Sequence, residues 1–165
     1  MTDKIVAAWE NHLAAEMFSK DVDATMATMV DEPSLFVLPT MKGGRGAAAV
    51  RSFYADDFTP GLPDDIGAIT VDRKIGADFL VEELIMTFTH TVEMPWMLPG
   101  AAPTGRPVKI PVLGLVGFEG DLLAYEHIWW DQCSVLLQVG ALTPAGTLPM
   151  HGVEMAEAFA EIGRG

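Results

Sequence analysis

A histidine, a tryptophan and a carboxylate recur at period two in the segment LLAYEHIWWDQCSVLLQVG, residues 122–140. Alternate side chains of an extended strand share a face. Tyr125, His127, Trp129 and Asp131 therefore line one side, and Leu122, Ala124, Glu126, Ile128 and Trp130 the other. A carboxylate on a tryptophan-lined face is costly to ionise unless something binds it, so its proton affinity is a candidate for shifting upward. Asp131 is thus the first candidate for a general acid/base in an apolar pocket. It also has a plainer reading, as the N-cap of the helical stretch that follows, and a cap would lower its proton affinity instead. His127 shares the face but lies four residues earlier, about 13 Å away at ~3.3 Å per residue. It cannot bond Asp131 directly, yet could meet the same ligand from the other end of a cavity.

A third candidate is His90. Between Asp78 and Thr91 the even positions Leu84, Met86, Phe88 and His90 are the more apolar set, and Thr87, Thr89 and Thr91 take the other face. With the even face inward, His90 is a pocket histidine that antiparallel pairing could bring beside Asp131 or His127. Glu82 falls on that even face and Glu126 on the face opposite Asp131. Both read as rim or interface charges, because buried unpaired glutamates are rare. Trp9, His12 and Glu16 share helical spacing near the N-terminus; Trp9 reads as core and His12 as a solvated flank. The segment Met94-Pro-Trp-Met-Leu-Pro99 is unusually apolar for a loop, so it reads as packing on a partner subunit or, alternatively, as a lid. His90, His127 and Asp131 show no HxH or HxxxH spacing with a third ligand, so no metal is expected. There is no GxSxG elbow, P-loop or post-strand GxGxxG, and no cofactor is expected either.

The elements that must hold these groups fall in a simple order. Asp3–Phe18 is spaced as an amphipathic helix, Asp21 caps a second short helix that Pro33 stops, and Leu35–Leu38 is a short strand. Thr40–Gly46 reads as a Gly-rich loop, Ala47–Phe58 as a third helix and Gly61–Asp65 as a turn. Strands are expected over 68–75, 78–91, 108–118 and 122–131, with a tight turn at Glu119-Gly-Asp121. Helices return over 132–139 and 153–162. Helices first and then mostly antiparallel strands give an α+β chain. Its 165 residues, half of them apolar, suit a single domain over 1–165 with a real core. A net charge of −13 argues against nucleic acid and anionic membrane surfaces, and fits a cytoplasmic protein. The sole cysteine, Cys133, allows no intrachain disulfide. The N-terminal MTDKIVAAWENH has no secretory apolar core, and no run approaches the roughly 18 apolar residues of a membrane span. The strand over 108–118 is apolar on both faces, Ile110, Val112 and Val116 against Leu113 and Leu115. One face should therefore meet the core and the other, with Ile128 and Trp130 nearby, a second subunit.

Taken in order, several pieces resemble the nuclear transport factor 2-like superfamily, in its SnoaL-like (polyketide cyclase-like) branch. FSKDVDATMATMVDEPSLFVLP resembles the two-helix opening and first strand, and GGRGAAAVRSFY the Gly-then-helix segment. FTHT at 88–91 with APTGRPV at 102–108 resembles the strand histidine and PTG turn. EHIWWDQCSVLLQVGAL resembles the closing strand, its aspartate and short helix. The resemblance covers roughly residues 5–142, leaving a tail helix near 153–162. Phe88 stands where the family often has Gly, which implies a differently shaped pocket.

The resemblance implies a cone-like curved sheet wrapped around N-terminal helices, a blind apolar cavity and a homodimer. It also implies acid/base service for Asp131. The expected function is cofactor-independent proton transfer (isomerase, cyclase or dehydratase type) on a small hydrophobic carbonyl compound. Asp131 would shuttle the proton, His90 and His127 would orient the substrate oxygen, and Trp129, Tyr125, Met86, Phe88, Trp9 and Phe53 would contact the substrate. A non-catalytic binder of small hydrophobic molecules is the alternative. Epoxide hydrolysis by an Asp–Arg–Asp relay ranks third, because Arg45, Arg51, Arg73 and Arg106 are not evidently inward.

Overall fold

The computed structural model describes residues 2–144 and 146–162. Helix α1 (Thr2–Leu13) runs into a π-helical turn (Ala14–Ser19), and α2 (Val22–Ala27) follows. The Asp21 carboxylate caps α2 as the sequence indicates, accepting from Ala24 N–H at 3.0 Å. The chain then turns into strand β1 (Met29–Val37) before Pro33. Pro33 is thus not a helix stop. It lies where the register of β1 shifts, and a residue without an N–H is tolerated at such an irregularity. The Gly-rich stretch expected as a loop is instead a short strand, β2 (Lys42–Arg45), paired antiparallel with β1. Gly43 makes that pairing possible, since a Cβ there would sit 2.2 Å from the Leu35 carbonyl oxygen. Helix α3 (Ala47–Ser52) passes into a second π-helical turn (Phe53–Phe58).

Four long strands follow: β3 (Gly67–Ile75), β4 (Phe79–Thr89), β5 (Pro107–Glu119) and β6 (Leu122–Trp130). The curved, unclosed sheet has the order β2-β1-β6-β5-β4-β3, antiparallel except for the β1–β6 pair. Helix α4 (Gln132–Val139) leaves the end of β6, and α5 (Val153–Ile162) closes the described chain. The Gln138 side chain ties α4 to β5, accepting from Lys109 N–H and donating to Lys109 C=O. No described helix is long and apolar enough to cross a membrane.

Register decides which side chains face the helices. Glu126 stands opposite Leu35 on β1 and Val116 on β5, Ile128 opposite Val37 and Gly114, and Trp130 opposite Val112. On β4, Glu82, Leu84 and Met86 fall on the same side, and on β3 Ala68 and Thr70. A bulge between Thr70 and Asp72 then reverses the parity of β3 and sets Arg73 opposite Glu82. The even face of β6 is therefore inward, one residue out of phase with the sequence expectation. Tyr125, His127 and Trp129 are on the outer face, where the Tyr125 ring lies so close over Gly117 that a Cβ there would be 2.0 Å from it. Ile128 and Trp130, expected beside a second subunit, point inward instead.

The apolar excursion between β4 and β5 packs into the protein's own core. Met94, Trp96, Met97 and Leu98 are all buried within the chain, against the expectation of partner packing. Trp96 is held by its indole N–H, which donates to Gly61 C=O at 3.0 Å, and by edge contacts with Trp130. A single loop thus spends its hydrophobic surface internally, which explains its composition.

Candidate functional site

The inward face of the sheet and the N-terminal helices enclose a cavity of about 340 Å³. Its walls are mostly aromatic and aliphatic, with Trp9, Phe53, Phe58, Trp96 and Trp130 among them. Phe18, 81% exposed, and Ala68 also line it, so its mouth lies between the first π-helical turn and the edge strand β3. Two polar groupings interrupt the apolar lining.

The first is built around His12, which is fully buried. α1 carries it one turn after Trp9, and the two rings stack at 5.8 Å and 16°. Its Nδ1 lies 2.6 Å from the Thr28 hydroxyl, which itself donates to Thr25 C=O at 2.6 Å. With that hydroxyl proton committed, Thr28 accepts, and Nδ1 must be the donor. His12 Nε2 then faces Tyr54 Oη at 3.2 Å, Glu16 Oε2 at 3.5 Å and Glu126 Oε2 at 3.7 Å. The Tyr54 hydroxyl donates to Glu126 Oε2 at 3.3 Å. Glu16 and Tyr54 both sit in π-helical turns, a geometry that recurs at functional sites because it re-aims side chains out of helical phase. Glu16 faces the imidazole and is also within reach of the Tyr54 hydroxyl.

Electrostatics follow from burial and crowding. Burial alone would lower the proton affinity of His12, but the adjoining Glu126 and Glu16 carboxylates overcome it and push the imidazole up to about 10. Glu16 is raised, first by burial and then by the neighbouring Glu126, with His12 opposing. Burial and the same two carboxylates hold the Tyr54 phenol well above its ordinary value. The cluster therefore holds protons at neutral pH and can offer a donor and an acceptor within a few ångströms of each other.

The second grouping centres on Glu82. Its Oε2 accepts from Trp9 Nε1 at 2.6 Å, and its Oε1 from Thr70 Oγ1 at 2.6 Å and from Arg73 Nη2 and Nε at 2.7 and 3.1 Å. Arg73 reaches on to Glu10 at 3.4 Å. So Arg73 does approach the cavity wall, through the β3 bulge, contrary to expectation. A carboxylate–Arg–carboxylate chain exists, but Oε1 of Glu82 is already filled by three donors. This grouping ties β3, β4 and α1 together and leaves little capacity for holding a reactive water.

The expected site residues divide sharply. Met86, Trp9 and Phe53 line the cavity. Phe88 is buried deeper in the core, beyond the cavity lining. Tyr125, His127 and Trp129 form an aromatic row on the opposite face of β6. Asp131 caps α4, its Oδ1 accepting from Cys133 N–H at 2.8 Å, and takes no part in the cavity wall. The capping reading is the one realised. His90 ends β4 and closes the PTG turn: its backbone pairs with Gly105 and Arg106, and its Nδ1 lies 3.2 Å from Thr104 Oγ1. Burial lowers its proton affinity. No described hydrogen bond joins His90, His127 and Asp131. Of the groups that do converge, His12, Glu16, Tyr54 and Glu126, the sequence offers His12 as a flank and Glu126 as a rim charge, and gives Glu16 no role. One local signal pointed to them: a His/Glu pair at i, i+4 one turn after a core tryptophan.

No protein-family model matches this sequence, and no curated protein is similar to it in sequence. Solved structures are similar in fold. A proposed SnoaL-like polyketide cyclase from Jannaschia sp. CCS1 superposes with a TM-score of 0.70 at 16% identity, over 86% of this chain and 95% of that one. AclR, a proposed hydroxylase from Streptomyces galilaeus, gives 0.66 at 13% identity, over 98% and 99%. A protein of ketosteroid isomerase-like fold from Catenulispora acidiphila, in complex with trimethylamine, gives 0.62 at 18% identity, over 87% and 100%. The chain has the nuclear transport factor 2-like fold, in the form that SnoaL-like proteins take.

Proposed function

We propose that this nuclear transport factor 2-like chain binds a small hydrophobic carbonyl compound in its cavity and moves a proton at the carbon next to the carbonyl. The single observation that carries this reading is the buried His12–Glu16–Tyr54–Glu126 cluster, whose Glu16, Tyr54 and Glu126 line an otherwise apolar cavity with His12 behind them. Glu16 is the base: it lines the cavity beside the imidazole, and burial raises its proton affinity. Tyr54 O–H is the donor for the developing enolate oxygen, and His12, behind the lining, and Glu126 hold the phenol in place. The apolar walls strengthen each of these interactions by keeping water out. Isomerisation, aldol-type cyclisation and dehydration all begin with this step.

The test needs no knowledge of the natural substrate. Hydrophobic cyclic ketones are incubated with the protein in D₂O, and exchange at the α-carbon is followed by mass spectrometry. Acceleration that falls by about 10²–10⁴-fold in Glu16→Gln supports the reading. No acceleration by the intact protein across a broad panel, or undiminished exchange in Glu16→Gln, removes it.

A binder without turnover is the second reading. Aromatic walls beside two carboxylates also suit a hydrophobic ammonium, and one structural relative is described in complex with trimethylamine. Saturable amine binding without α-exchange would favour it. The proposal extends to a cytoplasmic homodimer joined through the outer sheet face. Phe36 and Leu113 are there 38% and 36% exposed, beside Tyr125, His127 and Trp129.

A further inference from the structure

We infer that His12, Glu16 and Glu126 form a binding site for a divalent transition-metal ion on the cavity wall. Nε2 of His12 and one oxygen of each carboxylate lie within 4.8 Å of one another, all on buried residues. The contacts are informative in their length. A charge-assisted N–H···O bond closes to about 2.7–2.9 Å, whereas His12 Nε2 stands 3.5 and 3.7 Å from the two carboxylate oxygens. For ligands about 2.0–2.1 Å from a tetrahedral ion, neighbouring donors are separated by about 3.3–3.4 Å. The spacing found is close to that of donors around an ion and wider than that of a collapsed ion pair.

Two further observations point the same way. The Glu16 carboxylate, on a residue 5% exposed, lines the cavity beside the imidazole. The Thr28 hydroxyl fixes the far side of the imidazole as Nδ1–H, which leaves Nε2 as the only nitrogen with a free lone pair when the ring is neutral. Metal-bound histidines are oriented by such a partner on the second nitrogen. Two of the three donor residues, Glu16 and Glu126, line the cavity, so an ion held there is reached from it. The donor set of one imidazole and two carboxylates suits Zn²⁺, Mn²⁺ or Co²⁺.

The inference uses the cavity of the proposed function, but metal binding is measured without any substrate. A chain that exchanges α-protons yet binds no metal loses only this inference, and the converse loses only the enzymatic reading.

The experiment titrates chelator-treated full chain with Co²⁺, reading visible d–d bands, and with Zn²⁺ in competition with a chromophoric chelator at several pH values. Expected is one ion bound per chain. Glu16→Gln and Thr28→Val should each weaken binding by about 10–100-fold. Glu154→Gln, in the exposed His151–Glu154 pair, should leave it unchanged. Thr28→Val keeps the cluster's side chains in place, so it remains a test if His12 variants fail to fold. Absence of stoichiometric binding, or wild-type affinity retained in both Glu16→Gln and Thr28→Val, overturns the inference.

Discussion

Replacing His12 should change how the protein's stability depends on pH. The imidazole is raised from 6.5 to about 10 by Glu126 and Glu16 acting against burial, so the folded chain holds a proton there that the unfolded chain releases above pH 6.5. A raised folded-state value stabilises fully below the unfolded value, and that stabilisation is lost as pH climbs toward the folded value. Within this window stability falls by up to about 1.4 kcal/mol per pH unit, or roughly 3 kcal/mol between about pH 6.5 and 9. For a domain of this size that is a drop in Tm of roughly 6–12 °C. Glu16, also raised, adds to the fall with the same sign from its ordinary value of 4.5 upward. His90 has the opposite sign and a different window. It is lowered by burial, so its contribution is present above 6.5 and fades as the solution is acidified. Thermal melts by circular dichroism across this range, on the wild type and on His12→Gln, separate the terms. The wild type should lose stability steadily above pH 6.5, and His12→Gln should lose most of that slope while keeping the background from the chain's net charge. A wild-type Tm that is flat or rising from about pH 6.5 to 9, or an unchanged slope in His12→Gln, would refute the electrostatic account.

Other outcomes follow from the same geometry. Arg73→Ala leaves the buried Glu82 carboxylate without its cation and should destabilise by about 3–5 kcal/mol in denaturant melts, with Arg73→Ala/Glu82→Gln recovering a substantial part. A loss below about 1 kcal/mol would show the pair to be idle. Asp131→Ala should cost about 1 kcal/mol as a lost cap, and Asp131→Asn almost nothing, both with α-proton exchange intact; loss of exchange in Asp131→Asn would return that residue to the site. Leu113→Glu/Trp129→Glu should turn a sedimenting dimer into a monomer without unfolding it, and an unchanged sedimentation coefficient would remove the outer sheet face as the interface.

The local features of this chain are legible in its sequence, and the site is not. Asp21, the α1 stripe and the helix after Asp131 are written in caps and spacings that act over three or four residues. The order of motifs was enough to indicate the fold. The face of β6 was misread because both of its faces carry a tryptophan and an ionisable group, so nothing in a period-two pattern says which is inward, and a one-residue choice reverses every side chain. Asp131 drew attention for its setting, yet that setting is also the one a helix cap requires. His12 reads from sequence as a solvated flank and Glu126 as a rim charge, because neither has its partners nearby in the chain. What makes a buried histidine or glutamate affordable is its partners, and those lie far off in sequence: His12 meets Tyr54 across 42 residues, and Trp9 meets Glu82 across 73. The bulge that swings Arg73 onto Glu82 leaves no composition signal either.

Proton transfer is proposed for the Glu16–Tyr54–Glu126 wall, with His12 behind it, and not for the Asp131 face. The most direct measurement is a crystal structure of the protein with the hydrophobic ketone it exchanges fastest. Expected is the carbonyl oxygen within hydrogen-bond distance of Tyr54 Oη, with the α-carbon against Glu16. A ketone seated on the outer face with its oxygen toward His127 or Asp131, or lying in the cavity with no polar atom near the cluster, would contradict it.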